Sequence, residues 1–374
     1  MTHENWMQLA IDLAEKGRGR VNPNPLVGAV IVKDGRLIGQ GFHQAYGGPH
    51  AEVEALTAAA ENPRGATLYV TLEPCCHHGK RPPCTEAILK SGISTIIIGS
   101  HDPNPKVAGG GVKFLRDQGL TVIEGILQGP CDALNAVFFH YIQNNTPYVV
   151  MKYAMTADGK IATVTGASRW ITGEAAREHV HQTRSALSAI LVGIGTVLAD
   201  NPQLTCRLPE GGQNPLRVVC DSSLSIPMDS KLVSTAGEVP TCIAYHSAPS
   251  ERIRQLEAAG CRLLHLPGSD GRVDLPALME SLHGLGVDSV LAEGGAGLHY
   301  SLLEAGLVHR LQVYLAPKLF GGERAKGPVG GPGILLPKDA FLLSAPQIST
   351  LGEDLLLEYT LPKGGETSHV HRHH

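Results

Sequence analysis

The chain has 374 residues, 43% of them hydrophobic and 18% charged, with a formal net charge of −4. That length suits two domains, each able to bury a core, and the mild acidity without a long Lys or Arg run excludes a nucleic-acid scaffold. No apolar stretch is long enough to cross a bilayer as a helix, and Met1-Thr2-His3-Glu4-Asn5 lacks the basic start and apolar run of a secretory leader, so a cytoplasmic location without a membrane partner is expected.

In chain order, Asn5 to Lys16 carries Trp6, Leu9, Ala10, Leu13 and Ala14 at helical spacing and stops at Gly17-Arg18-Gly19. The turn-rich Asn22-Pro23-Asn24-Pro25 leads into a hairpin, strands Val27 to Val32 and Leu37 to Phe42 around Lys33-Asp34-Gly35-Arg36. A helix is predicted over His50 to Ala60, with His50 and Glu52 in its first turn. Strand Thr67 to Thr71 then delivers the chain to Glu73-Pro74-Cys75. A helix over Thr85 to Ser91, the apolar strand Thr95 to Gly99, a helix over Gly111 to Gln118 and strand Thr121 to Ile123 complete an α/β layered domain.

The chemistry of this domain centres on His50-Ala51-Glu52 and the cysteines that follow. Zinc takes imidazole nitrogen and thiolate sulfur tetrahedrally, and a catalytic site leaves one position for water. Bound zinc brings the pKa of that water toward neutrality, and a neighbouring carboxylate can carry its proton. His-x-Glu followed by Pro-Cys-x-x-Cys is the zinc-deaminase pattern. The first half is present here; in the second, Cys84 lies nine positions after Cys75. Gly79, Pro82 and Pro83 favour a loop that lets the insertion bulge and return Cys84 to the metal. Cys76 is a rival ligand, expected to point elsewhere. Both halves of the motif are expected to open helices at strand ends, which favours thiolate at Cys75. The other cysteines are scattered, so a disulfide framework is not expected. Polar loops around Asn24, His43, His77, Lys80 and Asp102-Pro103-Asn104-Pro105 are candidates to complete a pocket.

A connecting helix over Leu134 to Tyr141 precedes a boundary at Gln143 to Pro147, after which a fresh α/β pattern begins. Strands are predicted over Tyr148 to Ala154, Ala189 to Gly193, Leu216 to Asp221, Thr241 to Tyr245, Arg262 to Leu266, Ser289 to Ala292 and Arg310 to Leu315, the last closing the sheet core. Glu174 to Ser185 reads as helix. Glu293-Gly294-Gly295-Ala296-Gly297-Leu298, after a strand, lets backbone amides approach phosphate oxygens at a helix start. Gly193-Ile194-Gly195-Thr196 is a second such stretch. Neither is a Rossmann fingerprint. The His-rich end, His369 to His374, reads as a disordered tail over 364–374.

Several runs resemble the bifunctional riboflavin-biosynthesis enzymes of bacteria, in which a pyrimidine deaminase is fused to a reductase. They are Asn24-Pro25-Leu26-Val27-Gly28, Pro49-His50-Ala51-Glu52-Val53, Tyr69 to Cys75, Pro82-Pro83-Cys84, Asp102 to Pro105, Ala157-Asp158-Gly159-Lys160, Arg169-Trp170-Ile171-Thr172, Gly195 to Pro202 and Glu293-Gly294-Gly295. The resemblance spans His3 to Pro362, and the long Cys75–Cys84 spacing is normal in that family. Cys76, where the family usually has serine, is the small departure and adds a possible oxidation partner for Cys75 or Cys84.

The resemblance implies a cytidine-deaminase-like three-layer domain over 1–145 and a dihydrofolate-reductase-like domain over 146–363. It implies zinc-dependent hydrolytic deamination of 2,5-diamino-6-ribosylamino-4(3H)-pyrimidinone 5′-phosphate, then NADPH-dependent reduction of the ribosyl group to ribityl. His50, Cys75 and Cys84 would hold one zinc per chain, with Glu52 as the proton carrier. Asn24, His43, His77, Lys80 and Asn104 would hold the base and ribose phosphate, with Lys152 reaching the same pocket. NADPH would lie against Ala154, Trp170, Thr196, Asp200, Ser222, Gly295, Ala296, Gly297, Leu298, His299, Tyr300 and Ser301. The reductase substrate would meet Ser168, Arg184, Leu204, Arg207 and Glu293, the two arginines as phosphate clamps. The partners implied are the small-molecule pyrimidine ribosyl phosphate and other copies of the chain, as a dimer or tetramer. Two rivals remain on the sequence: a deaminase of a nucleoside or tRNA with a degenerate second domain, and a non-catalytic zinc protein.

Overall fold

The computed structural model describes residues 1–77, 82–105 and 107–362. Lys80 and the tail over 364–374 lie outside the described residues. The chain forms two compact units, Met1–Asn145 and Thr146–His374.

The first unit is built on α1 (His3–Glu15), β1 (Gly28–Lys33), β2 (Arg36–Phe42), α2 (Ala51–Thr57), β3 (Thr67–Leu72), α3 (Cys84–Ser91), β4 (Thr95–Ser100), α4 (Gly110–Asp117), β5 (Thr121–Glu124), α5 (Gln128–Leu134) and α6 (Ala136–Asn144). Its sheet has the order β2-β1-β3-β4-β5, antiparallel at β2-β1-β3 and parallel from β3 to β5. Successive side chains of a strand face opposite sides, and the apolar runs serve both. Val30, Val32, Tyr69 and Ile97 meet α1 and α5 through Trp6, Met7, Ile11 and Cys131. Ala29, Ile31, Leu68, Val70, Ile96 and Ile98 meet α2, α3 and α4 through Ala51, Ala55, Ile88, Val112 and Leu115. The result is three layers. Helix α1 starts on a reciprocal cap, Asn5 N–H donating to Thr2 Oγ1 (3.4 Å) and Thr2 N–H to Asn5 Oδ1 (2.9 Å).

Two expectations shift here. His50 is not inside the helix but is its N-cap, with extended backbone, and α2 ends at Thr57. Cys75 opens no helix either: it lies in the loop after β3, and Cys84 opens α3. The Pro82-Pro83 pair explains the second point, because proline suits the entrance to a helix and bars its upstream extension.

The second unit contains β6 (Tyr148–Thr156), α7 (Glu174–Ala186), β7 (Ala189–Gly193), α8 (Ile194–Asp200), β8 (Leu216–Cys220), α9 (Lys231–Ser234), β9 (Thr241–Tyr245), α10 (Ser250–Ala258), β10 (Arg262–His265), α11 (Leu275–Gly284), β11 (Ser289–Gly294), α12 (Ala296–Glu304), β12 (Arg310–Ala316), β13 (Gln347–Leu351) and β14 (Asp354–Thr360). The sheet order is β10-β9-β8-β7-β11-β6-β12-β14-β13. All neighbours from β10 to β12 are parallel, so their carboxyl ends share one edge. One face packs on α11 and α12, through Leu278, Met279, Leu282, Leu302 and Leu303. The other packs on α8, α9 and α10, through Val197, Leu232 and Leu256. The sheet does not close at Leu315: β14 pairs antiparallel with β12, and β13 with β14. This hairpin carries exposed Ile348 and Leu355, so burial does not write the usual two-sided pattern into its sequence.

The parallel order makes β11 the place where the winding reverses, since it enters between β7 and β6. In open α/β sheets such a point opens a crevice beyond the carboxyl ends of the strands.

A packing constraint links fold and site in the first unit. Glu73, almost fully buried, accepts hydrogen bonds from Gly109 N–H (3.0 Å) and Val112 N–H (3.1 Å) and so caps α4. A Cβ on Gly111 would stand 2.1 Å from the Pro74 carbonyl oxygen. Gly111→Ala should therefore push α4 off the Pro74–Cys75 turn. The expected result is a stability loss of about 1–3 kcal/mol, measured by denaturant titration, together with reduced zinc content.

Candidate active sites

In the first unit, three chain segments bring three ligand atoms within 4.8 Å of one another: His50 from the cap of α2, Cys75 from the loop after β3, and Cys84 from the start of α3. His50 Nδ1 lies 3.2 Å from Cys84 Sγ and 3.6 Å from Cys75 Sγ. Tetrahedral zinc with one nitrogen and two sulfur ligands sets such atoms about 3.5–3.8 Å apart, so the donors fit the metal in number, type and spacing. The Cys84 amide donates to Cys75 Sγ at 3.3 Å, so the start of α3 serves the Cys75 sulfur from across the loop. The Cys75 thiol is held well below its usual range, chiefly by its hydrogen bond with the Cys84 thiol and then by His50, against the opposing effect of burial. Cys76 is no ligand: its sulfur packs on Gly110 at the start of α4.

Glu52 sits in the first turn of α2, 3% exposed, facing this cluster. Burial is the largest influence on its carboxyl and raises its pKa, with His50 opposing. A carboxyl poised toward its protonated form beside a metal site suits proton carriage.

A cavity of about 210 Å³ opens over these groups, lined by Asn24, His43, His50, Glu52, Cys75, His77 and Asn104 among others. His43 is oriented at both ring nitrogens: Nδ1 donates to the Pro49 carbonyl (2.9 Å), leaving Nε2 to accept from Asn24 Nδ2 (3.1 Å). That fixes the tautomer and turns the Asn24 carbonyl oxygen away from His43. Asn104 is set by an Asx turn, its N–H donating to Asp102 Oδ1 at 2.8 Å. Two further lining residues stand out. Asp102 is buried, and burial pushes its carboxyl up to about 6. Phe138, from α6, presents an aromatic surface. Asp102 stood in the quoted Asp-Pro-Asn-Pro run, but Phe138 gave no signal beyond a helical pattern.

Lys152 does not line this cavity. It projects from β6 into the second unit's cavity, its ammonium 3.7 Å from Glu293. Glu293, at the end of β11, also takes a two-pronged pair from Arg184 of α7, Nε to Oε1 at 2.7 Å and Nη2 to Oε2 at 2.8 Å. All three side chains are largely buried, at 7% exposure for Glu293, 14% for Lys152 and 11% for Arg184. Burial alone would raise the Glu293 carboxyl, but Arg184 and Lys152 outweigh it and hold the group at about 2. Burial lowers the Lys152 pKa, with Glu293 opposing. Arg184 Nη1 donates to Thr205 O at 3.1 Å. Arg184 thus pairs with Glu293 and the 205 loop while lining the same cavity. Arg207 makes only long contacts to Thr205, 3.3 and 3.5 Å, and remains available.

The second cavity, about 520 Å³, is lined by Lys152, Ala154, Ser168, Trp170, Asp200, Arg184 and Arg207 of the expected residues, and also by Arg169, Arg177 and His181. Trp170 is 62% exposed and stacks under the Arg177 guanidinium at 4.8 Å from the ring centroid. An indole held open to solvent on an arginine is a ready platform for a flat ring. Leu204 is buried and is not among the lining residues.

The glycine-rich stretches meet at the sheet edge. A Cβ on Gly294 would stand 2.8 Å from Thr196 Oγ1, and Gly295, at φ +84°, caps α12. Side chains added at Gly195 or Gly297 would meet nothing within 4 Å, so this backbone is open to a ligand. The cradle fits the pyrophosphate of a dinucleotide at a helix start. Ser222 lies two strands away, after β8. His299 and Tyr300 turn inward: both are buried, and His299 Nδ1 donates to the Pro328 carbonyl at 2.9 Å. These two side chains pack beneath the cradle.

Residues 1–100 match the cytidine and deoxycytidylate deaminase zinc-binding region, and residues 147–357 match the RibD C-terminal domain. The riboflavin biosynthesis protein RibD of Actinobacillus pleuropneumoniae is 52% identical over 361 residues, 96% of each chain. Among solved structures, the diaminohydroxyphosphoribosylaminopyrimidine deaminase/5-amino-6-(5-phosphoribosylamino)uracil reductase of Thermotoga maritima is similar at a TM-score of 0.82 and 39% identity, covering 96% of this chain and 99% of its own. One form of Acinetobacter baumannii RibD gives a TM-score of 0.85 at 35% identity, with the same coverage.

Two measurements check this geometry. Cys75→Ser and Cys84→Ser should each lose stoichiometric zinc in metal analysis, whereas Cys76→Ser should retain it. Glu293→Ala should leave Arg184 and Lys152 buried without their carboxylate and cost about 3–5 kcal/mol in denaturant unfolding.

Proposed function

The chain belongs to the RibD family and is a bifunctional enzyme of riboflavin biosynthesis, a zinc-dependent pyrimidine deaminase and an NADPH-dependent reductase, and we propose the following division of labour among its residues. The observation that carries the deaminase assignment is the His50–Cys75–Cys84 cluster with buried Glu52 beside it. Three protein ligands leave room for water, where a structural site would have four. Zinc held there supplies a water acidic enough to give up its proton near neutral pH. Glu52 accepts that proton as the water oxygen adds to C2 of the pyrimidinone, then delivers it to the departing 2-amino nitrogen. Asn24, oriented through His43, and Asn104, oriented through Asp102, position the base; His77 meets the ribose phosphate.

In the second unit NADPH supplies hydride to C1′ of the ribosyl group. The C1′–O4′ bond breaks, and the ring oxygen, which becomes a ribityl hydroxyl, takes a proton. Lys152 is the donor: its buried ammonium lies beside Glu293, which favours the charged form against burial, and opens on the cavity. Trp170 supports a ring of the cofactor, Thr196 and the Gly295–Leu298 turn its phosphates, with Ala154, Asp200, Ser222 and Ser301 beside them. Arg207, with Ser168, binds the substrate phosphate. The rival deaminase readings lose their ground on the reductase half of the chain.

A homo-oligomer suits the apolar surface of the sheet-edge segment. Leu335, at 95% exposure, with Leu336 and Leu342 in the segment before β13 and Ile348 on that edge strand, leaves apolar side chains exposed, and an unprotected edge invites pairing with a second copy. Among the described residues no helix is long and apolar enough to cross a membrane, and all eight cysteines are unpaired, which fits a reducing cytoplasm.

The decisive experiment follows ammonia release and NADPH absorbance separately on zinc-loaded protein given the diaminopyrimidine ribosyl phosphate. Glu52→Gln should keep its zinc and lose roughly 10²–10⁴-fold in ammonia release. Lys152→Met should release ammonia at the normal rate and fail to oxidise NADPH; normal NADPH oxidation in that variant would remove Lys152 from the mechanism. Leu335→Asp with Leu342→Asp should lower the mass seen by light scattering.

A further inference from the structure

His181 belongs to none of the roles assigned above. It lies on α7 one turn before Arg184, and its ring lines the second cavity. Its Nδ1 is buried, yet has no hydrogen-bond partner among the described residues. A buried polar atom left unmatched costs about 1–3 kcal/mol, so no hydrogen bond locks the ring in this orientation and turning it toward the cavity breaks none. The backbone here is anchored: the His181 carbonyl accepts from Cys206 Sγ at 3.5 Å, tying this turn of α7 to the loop that carries Arg207.

The charged groups facing the ring are Arg184 on its own helix, Arg207 on the loop, Lys152 on β6 and Glu293 at the end of β11. Glu293 is already engaged by Arg184 and Lys152. Three cations thus stand against one carboxylate, an excess of positive charge next to an unsatisfied imidazole. The complement to that arrangement is a small, doubly charged oxyanion.

We propose that His181 is a specificity residue of the reductase, its imidazole turning from this unpartnered orientation to donate a ring N–H to the substrate's phosphate beside Arg207. The inference rests on the reading that Arg207 faces that phosphate. It adds a consequence. Without ligand, burial first, and then Arg184 and Arg207, hold the imidazole uncharged, down at about 4. A phosphate dianion between His181 and Arg207 reverses the sign of the local field, so the ring gains a proton as the phosphate binds. Discrimination against the unphosphorylated nucleoside would then come from a proton taken up at binding as well as from the fixed charge of Arg207.

The test is calorimetric binding of 5-amino-6-ribitylamino-uracil phosphate and of its dephosphorylated form to the zinc-loaded, NADP⁺-bound full chain. Wild type, His181→Leu, His181→Asn and Arg207→Gln are compared near neutral pH in buffers of different ionisation enthalpy. His181→Leu should lose roughly tenfold in preference for the phosphorylated ligand, the size of one hydrogen bond to a charged group. Its affinity for the dephosphorylated form should be unchanged, and it should take up fewer protons than wild type. His181→Asn, which keeps a donor but cannot charge, should recover part of the preference and none of the proton uptake. Normal NADP⁺ binding and ammonia release in each variant exclude misfolding. If His181→Leu keeps both the wild-type preference and the wild-type proton uptake while Arg207→Gln loses the preference, the His181 proposal is overturned and the Arg207 reading stands. If Arg207→Gln also keeps the preference, the phosphate lies elsewhere and both fail.

Discussion

A carboxylate cannot stay charged in a protein interior unless positive groups replace the water it has lost. Glu293 meets that condition at the end of β11, where Arg184 and Lys152 reach it from α7 and β6. Much of the second unit's site follows from that pairing. Arg184 lines the cavity while paired to the carboxylate, Lys152 is aimed along its wall, and the 205 loop is tied down through Arg184 Nη1. Arg207, Trp170 and the ring of His181 line the same cavity beside them.

The first unit handles burial of polar chemistry differently. Its cluster is made of soft donors, one imidazole and two thiols, which suit a zinc cation. The supporting groups are held by defined partners: His43 by the Pro49 carbonyl and Asn24, Asn104 by Asp102, and Glu73 by two amides of α4. Glu73 lies beside the ligands but is spent on capping, which separates it from Glu52, a carboxyl with no such structural duty. Two acidic residues with similar burial therefore have different work, decided by what their oxygens touch.

The two sites share a principle of placement. Each sits where strands deliver their carboxyl ends: β3 to Cys75 and β4 to Asp102 in one sheet, β11 to Glu293 and β7 to Thr196 in the other. Strand ends are rigid, and the loops beyond them are free to carry functional residues. Glycines appear where backbones must touch: Gly111 against Pro74, and Gly294 against Thr196.

Local chemistry determined a good deal of this protein on its own. His-Ala-Glu followed by Pro-Cys announces a metal and a proton carrier because few other functions need those residue types at that spacing, and alternating or continuous apolar runs announce strands because burial on a sheet imposes them. The extended match of short motifs over nearly the whole chain carried the reading to a deaminase joined to a reductase. What sequence could not decide was direction. Whether Lys152 and Arg184 are free or paired depends on contacts between residues more than a hundred positions apart, and the setting of His299 on a carbonyl from a later loop. The hairpin of β13 and β14 stayed hidden for a related reason: an exposed edge has no core to write its period into the chain. Only the tertiary structure settles such matters, because a side chain's partner is set by the packing of distant elements and not by its neighbours in sequence.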